Sequence, residues 1–206
     1  TATFNGTVSN TGAGGGVYAT IKQNKLTVTG RYNYNYNDRP RSNFSSERNY
    51  TDSKENQYSD GSSKNKGSFQ HGSLEASYEI DTLRLITMSF GMYGGGNDGN
   101  GESDNWLMDA AKQQIYDYDV FNNNESSWYS IRGNIDYQRS FSKKVRLLTF
   151  SYNINTRPQE SDSYRDYENV TGDADRLRPL ALNNNRSDGE QNTTEHTFQA
   201  DYTTPI

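Results

Sequence analysis

Alternation of apolar and polar residues constrains this chain more than any other feature of its sequence. The clearest stretch is 83–93, where every second residue from Ile86 to Met92 is apolar and the residues between them are small or polar. Successive side chains of a strand point to opposite faces of a sheet. A period of two therefore predicts strands with one apolar and one polar face. The same period occurs in 26–37, 74–80, 128–139, 145–155 and 197–202.

Strand candidates follow from this alternation and from the turn signals between the stretches. The first two candidates have weak patterns, because the glycines of 12–16 predict a flexible link. The eight candidates lie near residues 2–9, 15–22, 25–37, 68–80, 83–95, 128–141, 145–156 and 192–203.

The connections between the candidates alternate between short and long. Tight turns are predicted at 22–25, 81–82 and 142–144. Stretches rich in Asn, Ser, Asp, Gly and Arg near 38–67, 97–127 and 157–191 predict long solvated loops. An outer-membrane barrel has short periplasmic turns and long extracellular loops, whereas a soluble barrel or sandwich has no reason to sort its loops. We therefore predict an all-β fold, an antiparallel up-and-down transmembrane β-barrel segment spanning 1–206.

The composition excludes several other classes of protein. Leu, Ile, Val and Phe make up about 16% of the chain, below the ~20% typical of disordered sequences, yet 13% aromatic residues and a net charge of only -5 argue for order. The absence of Cys excludes disulfides, thiolate metal sites and thiol nucleophiles. A pI near 5.1 argues against nucleic acid as a partner. The start at Thr1 predicts processing or a fragment.

The apolar face of the predicted strands is expected to contact lipid. Tyr129 and Tyr137 bracket an apolar row, and their separation corresponds to about 20 Å once strand tilt is applied, close to the ~25 Å apolar band of such barrels. Gly72 and Gly133 lie in the same rows, where a packed core would favour larger side chains. The predicted lipid-facing residues are Ile86, Met88, Phe90, Met92, Tyr129, Ile131, Ile135, Tyr137, Leu148, Phe150, Tyr152 and Ile154.

The opposite face carries charges at mid-strand and is expected to face a polar lumen. A wide, wet or plugged lumen accommodates charges that a tight interior would have to pair completely. The alternative is an exposed antiparallel sheet on which Tyr and charged residues simply alternate. The predicted lumen-facing residues are Arg31, Glu75, Glu79, Arg132, Asp136 and Asp201, with Glu195 on the same face.

Particular segments resemble a known family. Six segments resemble barrel strands of TonB-dependent-receptor-like outer-membrane proteins, closest to the Bacteroidetes-type branch. They are the run 4–9, the glycines before Val17, and the segments 25–30, 32–34, 133–137 and 147–152. The resemblance covers most strand candidates and none of the predicted loops. Its motifs are moderately specific, since alternation with Gly and Tyr is common among barrels.

The resemblance implies a receptor for nutrient uptake in the outer membrane of a Gram-negative bacterium. Such receptors have a 22-stranded barrel with a plugged lumen, so this chain would supply the first eight or so strands. We find no plug domain within 1–206 and no closing strand with a final aromatic at Pro205 and Ile206. Implied partners are outer-membrane lipid and lipopolysaccharide, a plug domain and an energy-coupling protein outside this chain, and a surface lipoprotein. No cofactor is implied. A small closed barrel of eight strands is the alternative.

Three loop segments are candidate sites. The run 97–102 could bind calcium, although it lacks the ligand spacing of an EF-hand and a flexible surface loop is favoured. Asp117 and Asp119 could bind a cation, with a solvated loop edge as the favoured alternative. The segment 105–115 has a helical period with Ser103 or Asp104 as a possible cap, which makes a short helix and an irregular loop equally favoured.

Function beyond the barrel has weaker signals. The Asn-x-Ser/Thr motifs match what chance predicts in so polar a chain. The arginines of the predicted loops could contact lipopolysaccharide or an acidic ligand, but interleaved acids favour simple solubility.

We find no nucleophile elbow, phosphate loop or His-based constellation, so an enzyme is not expected. The competing class is a surface-displayed or soluble β-rich binding or adhesion module.

Overall fold

One antiparallel sheet of nine strands forms nearly the whole structure. The computed structural model describes residues 1–141 and 146–204. A four-residue helix, α1 (Ala174–Leu177), and a 3-10 helix (Arg178–Leu180) precede the last strand. The strands are β1 (Ala2–Ser9), β2 (Gly12–Gln23), β3 (Leu26–Asp38), β4 (Ser42–Tyr50), β5 (Glu55–Asp81), β6 (Arg84–Met108), β7 (Gln114–Phe141), β8 (Arg146–Gly172) and β9 (Asn185–Thr203).

The strands follow one another through the sheet in chain order. The order is β1-β2-β3-β5-β6-β7-β8-β9, and β4 pairs with the first part of β5. All pairings are antiparallel, which confirms the predicted all-β up-and-down architecture. Among the described residues β1 and β9 are not paired with each other, so the sheet is open. The alternative of eight strands that close into a small barrel is therefore wrong for the part of the chain that the structure describes.

The ranges predicted as long loops are mostly strand. Residues 42–50 form β4, and the other polar ranges belong largely to extensions of β5, β6, β7, β8 and β9. The prediction of long loops near 38–67, 97–127 and 157–191 was wrong because it relied on hydrophobic period. Backbone ladders do not need an apolar face, and below their tips these extensions are mostly polar on both faces.

Each of the four longest strands therefore has two halves of different character. We call residues 68–81, 84–96, 127–141 and 146–159, together with the residues of β1, β2, β3 and β9 that are in register with them, the lower half of the sheet. Residues 55–67, 97–108, 114–126 and 160–172 form the upper half. Strands β5 to β8 contain 25 to 28 residues, whereas β1 contains 8. The upper half thus extends beyond the short strands at one end of the sheet.

The short helix considered for 105–115 is absent. Residues up to Met108 complete β6, and Ile115 already lies in β7. The turn between them is built by Asp109, whose Oδ1 accepts hydrogen bonds from the backbone N–H groups of Ala111 and Gln113, both at 2.8 Å. An Asp side chain that satisfies the backbone in this way favours a turn over a helix.

The glycine-rich start of β2 is regular strand and not the predicted flexible link. Glycine is required here by close approach, because a Cβ on Gly12 would lie 2.2 Å from the carbonyl oxygen of Tyr36. The predicted tight turn at 22–25 is confirmed, with Asn24 at a φ of 53°. The turn at 81–82 is confirmed in outline, since β5 ends at Asp81 and β6 begins at Arg84. The turn predicted at 142–144 lies outside the described residues.

Very little of the chain is buried. Among the described hydrophobic residues only Leu107 and Tyr116 are buried, 3% and 5% exposed, and they lie opposite each other near the upper tips of β6 and β7. The ring of Tyr116 stacks at 6.1 Å on Tyr118, which lies 6.0 Å from Tyr167. Burial raises the pKa of Tyr116 and of Tyr118. This tip cluster is the nearest thing to a core in the described sheet.

The connection between β8 and β9 is tied to these tips. The carboxylate of Asp173 caps α1, accepting from the backbone N–H of Asp175 at 2.9 Å, and the Asp173 N–H donates to the carbonyl of Ile115 at 2.9 Å. Arg176 then forms an ion pair of 2.5 Å with Glu55 at the start of β5. The segment therefore links β7 and β5 at the upper end of the sheet.

Candidate functional site

The pairing register gathers the apolar residues of the lower half on one face. Residues directly opposite each other in an antiparallel pair share a face. One such row runs through Met88, Ile135 and Tyr152, and the next through Leu74, Phe90 and Gly133 to Ile154. We call this the apolar face. The predicted lipid-facing residues that lie on it are Ile86, Met88, Phe90, Met92, Tyr129, Ile131, Ile135, Tyr137, Leu148, Phe150, Tyr152 and Ile154.

Tyrosines border the apolar face at two levels. At the lower level Tyr78 and Tyr137 both lie opposite Ile86, and at the upper level Tyr34 and Tyr129 lie in one row across Gly94. The eight residues from Tyr129 to Tyr137 again correspond to about 20 Å normal to the band after a ~40° tilt. The apolar face is therefore a band of defined height with aromatic rims.

No other layer of the described structure covers this band. Met88 and Phe150 are each 50% exposed, and Phe198 on the neighbouring edge strand is 78% exposed. Soluble monomers rarely expose contiguous apolar patches larger than a few hundred Å². The band spans eight strands, so it is a surface built to contact something apolar.

The opposite face of the lower half carries the predicted lumen residues. Arg31 and Arg132 lie in one row across the sheet. Glu75 lies in the next row, Asp136 in the row after that, and Glu79 and Asp201 share the row below Asp136. We call this the polar face. Its residues are linked by hydrogen bonds, including Arg31 Nε to Ser73 at 2.9 Å and Asn134 to Asp136 at 3.1 Å. The assignment of lipid and lumen to the two faces stays a prediction.

Ion pairs and hydrogen bonds connect the strands of the upper half. Arg41 donates to Ser62 at 2.6 Å, to Glu102 at 2.9 Å and to Asn100 at 3.1 Å, so it joins the β3–β4 connection to β5 and β6. Lys66 pairs with Asp98 at 2.9 Å. The hydrogen bond and the charge of Asp98 raise the pKa of Lys66. Polar contacts of this kind replace apolar packing in the upper half.

An acidic row crosses the upper half on the side of the apolar face. Asp60 lies opposite Asp104, and Asp104 lies opposite Asp119. Partial desolvation and then repulsion by Asp119 raise the pKa of Asp104. Like charges directly opposite one another destabilise a strand pair, so this row is a weak point of the sheet at neutral pH.

A shallow groove of about 720 Å³ lies above the upper tyrosine rim on the same side. Tyr34 and Tyr36 form its lower wall, and Lys66 contributes its one basic side chain. The groove is otherwise acidic and hydroxyl-rich. Its carboxylates are Asp98, Glu125, Glu160, Asp162, Asp188 and Glu190.

The candidate cation segments do not form a metal site among the described residues. The run 97–102 is regular strand within β6 rather than the calcium loop or the flexible loop considered for it. Asp119 accepts a hydrogen bond from Asn169 at 2.6 Å, and Asp117 accepts one from Thr171. No cluster of three or more His, Cys, Asp or Glu suited to a metal ion occurs in the described parts of the chain.

Arginines of the predicted loops make contacts within the sheet. Arg165 donates to Asn122 at 2.7 Å, Arg186 pairs with Asp162 at 2.6 Å and Arg157 lies 3.6 Å from Glu195. Their partners lie on neighbouring strands. These arginines therefore have a structural use beside the solubility that their interleaved acids suggested.

Three aromatic residues on the polar face were missed by the sequence reasoning. Gly95 of β6 pairs with Phe69 of β5 on one side and with Trp128 of β7 on the other. Tyr93 lies one row below them on β6. Their rings contact one another, with Trp128 6.2 Å from Phe69 and 5.8 Å from Tyr93. The signal was present: each breaks the alternation by placing an aromatic ring on the polar side of its strand.

No protein-family model matches the chain, and no curated protein matches it. Within the described residues no helix has the length and hydrophobicity to cross a membrane.

Proposed function

We propose that this chain is a portion of the wall of an outer-membrane β-barrel in a Gram-negative bacterium, belonging to a TonB-dependent-type receptor for nutrient uptake. The observation that carries the proposal is the exposed apolar band with tyrosine rims. A membrane β-barrel places such a band, flanked by aromatic girdles, against lipid. The band has no partner in the described sheet, and lipid supplies one of the right chemistry and height.

The free edges of the sheet support a barrel larger than this segment. Strands β1 and β9 offer unpaired backbone groups along the described edges, and a barrel removes such edges by pairing each with a further strand. We infer that additional strands complete the wall. A plug domain, an energy-coupling protein and a surface lipoprotein would be partners outside this chain, and outer-membrane lipid and lipopolysaccharide would surround the apolar band.

In this proposal the two halves of the sheet have different tasks. The lower half crosses the membrane, and its polar face lines the passage with Arg31, Glu75, Arg132 and Asp136. The upper half projects outward and captures the ligand. Strand β7 alone continues for 14 residues before Trp128, which corresponds to about 45 Å along the strand.

A surface-displayed or soluble binding module is the second candidate, and the upper half is the observation that favours it. Apart from the cluster at its tips, that half is mostly polar on both faces and is joined by ion pairs such as Lys66 with Asp98, as in a sheet surrounded by water. In this alternative the apolar band would be covered by another protein layer.

Behaviour without detergent separates the two functions. The chain is refolded with phosphatidylethanolamine–phosphatidylglycerol vesicles and floated on a density gradient. We expect it to float with the vesicles, to resist extraction by sodium carbonate and to aggregate in plain buffer. A monodisperse chain in plain buffer that stays at the bottom of the gradient would contradict the membrane function and support the binding module.

A further inference from the structure

An aromatic platform lies on the polar face at the level of the upper tyrosine rim. It consists of Phe69, Tyr93 and Trp128, which are 43%, 36% and 37% exposed. Rings on this face cannot belong to the apolar band, because the register places them on the opposite side of the sheet from Tyr34 and Tyr129. Exposed aromatic groups on an otherwise polar face need another explanation.

The backbone beneath the platform is shaped for it. Gly95 lies between Phe69 and Trp128 in their row and has no side chain to separate them. A Cβ on Gly95 would lie 2.3 Å from the carbonyl oxygen of Ser68, so any other residue would require the strands to shift. The two rings therefore lean together over a bare stretch of sheet, and Tyr93 meets Trp128 edge-on at 5.8 Å.

Positive charge lies directly below the rings. Ser130, opposite Tyr93, is buried at 3% exposure, and its neighbours on this face are Trp128 on one side and Arg132 on the other. The register between β7 and β8 places Arg157 opposite Ser130. Both arginines interact electrostatically with the Tyr93 hydroxyl.

The guanidinium groups are incompletely paired. Arg132 forms no ion pair with any described carboxylate, and Arg157 has only Glu195 at 3.6 Å. A guanidinium group binds carboxylate or phosphate through parallel N–H donors. Aromatic faces stack on rings. Arg157 lies one row and Arg132 two rows from Trp128, about 7 and 13 Å along the strands, a separation that one small molecule and the long arginine side chains can span together.

We propose that this platform binds an organic anion that carries a ring, with the ring on Trp128 and the anionic group on Arg132 and Arg157. Binding of the anion does not depend on the proposed function, whereas the position of the platform at the outer mouth of a lumen rests on it. An aromatic carboxylate and an acidic sugar share the required chemistry.

The test uses the full chain in detergent micelles and isothermal titration calorimetry, with protein-free micelles as the blank. The probes are 2-naphthoate against neutral 2-naphthamide, and a galacturonate trisaccharide against the neutral galactose trisaccharide. We expect at least one anion to bind about tenfold more tightly than its neutral counterpart. If only naphthoate binds more tightly than its neutral counterpart, the site takes aromatic anions. If only the acidic trisaccharide does, the site takes acidic sugars. Equal binding of anionic and neutral probes in both pairs, or no binding, overturns the proposal.

Variants locate the site. Trp128→Leu keeps an apolar side chain and is expected to weaken binding about three- to tenfold, the worth of one ring contact. Arg132→Gln should remove the preference for the anion while the neutral probe is unaffected. Trp106→Leu is the matched control, since Trp106 stacks on Tyr58 at 5.4 Å on the other face. Equal losses in Trp106→Leu and Trp128→Leu, with matching circular dichroism spectra, would contradict the site.

The outcome is separable from that of the proposed function. A chain that floats with vesicles but binds no probe keeps its membrane role and loses the platform. A chain that binds the anion yet stays monodisperse in plain buffer keeps the platform as the site of a binding module.

Discussion

The lower and upper halves of the long strands share one backbone ladder and differ in almost every side chain. In the lower half Met88 lies opposite Ile135, whereas in the upper half Asn100 lies opposite Asn123 in an equivalent row of the same strands. The hydrogen-bonded register between β6 and β7 runs without a break from Arg84 to Leu107. A continuous sheet can therefore pass from one environment to another with no change in its backbone.

The comparison teaches that the two halves are stabilised by different interactions. The lower half has an exposed apolar band and needs an apolar partner for it. The upper half relies on ladder hydrogen bonds, on cross-strand pairs such as Lys66 with Asp98, and on the small cluster around Leu107 at the tips. Substitutions in the two halves should therefore respond differently to lipid, to cavities and to pH.

The largest effect is expected for a charge placed in the middle of the apolar band. Phe90 lies in the central row, and an arginine at the bilayer midplane of a membrane barrel costs about 2–4 kcal/mol. Phe90→Arg should lower the free energy of unfolding in vesicles by this amount, measured by guanidinium titration with tryptophan fluorescence.

The adjacent residue provides the control for that substitution. Ser89 lies on the polar face, so Ser89→Arg should change stability by no more than about 0.5 kcal/mol, as for ordinary surface substitutions. Equal costs at both positions would show that the two faces meet the same environment and would remove the basis for the membrane function.

A cavity at the tip should have the next largest effect. Leu107 is 3% exposed, and Leu107→Ala is expected to cost about 2 kcal/mol, the lower end of the range for buried leucines, because the cluster is small. Hydrogen exchange should show the loss confined to the upper half. Leu74→Ala is the comparison: Leu74 is 49% exposed, so no closed cavity forms and less than half of that cost is expected.

The smallest effect concerns the acidic row of the upper half. The pKa of Asp104 is raised in the folded state by desolvation and by Asp119, so the folded protein binds more protons than the unfolded chain between the ordinary aspartate pKa and the raised value. Stability should therefore rise as the pH falls from neutral through this window. Asp104→Asn should remove this dependence and stabilise the protein at pH 7 by at most about 1 kcal/mol.

Asp98 offers a control of opposite sign on the same strand and face. Its carboxylate lies 2.9 Å from Lys66, so Asp98→Asn removes an attraction and should leave stability unchanged or slightly lower. Both variants are unfolded in urea at pH 5 and pH 7, with and without 0.5 M salt, and their free energies of unfolding are compared. Salt should reduce both effects, because these groups are exposed and about 0.5 M salt shortens the screening length to a few ångströms. Destabilisation by Asp104→Asn at pH 7 would contradict the repulsion.

The lower half was predictable because one face of each strand is apolar. The row of Ile86, Met88, Phe90 and Met92 shows its period directly, and pairing with Ile135 and Tyr152 follows once the strands are antiparallel neighbours. The upper half was not predictable by the same means. In 97–104 the residues on both faces are Asn, Asp, Gly, Ser and Glu, so no hydrophobic period distinguishes strand from loop.

The candidate site was predictable in part. The sequence reasoning sorted Arg31, Glu75 and Asp136 onto one face, and the register places them there. It missed the platform of Phe69, Tyr93 and Trp128, because their proximity depends on the cross-strand register over Gly95. The helical spacing at 105–115 did not indicate the structure of this segment. The turn at Asp109 and the burial of Leu107 against Tyr116 outweigh its weak local preference for a helix.

By itself the sequence determined the all-β, antiparallel, up-and-down sheet and the division of the lower half into an apolar and a polar face, because side-chain alternation is a local property of each strand. Only the tertiary structure decided how far each strand extends, that the edges of the described sheet stay open, and which rings and charges become neighbours. Those features depend on backbone pairing between strands that are distant in the chain. Backbone pairing leaves no hydrophobic signature where both faces of a strand are polar.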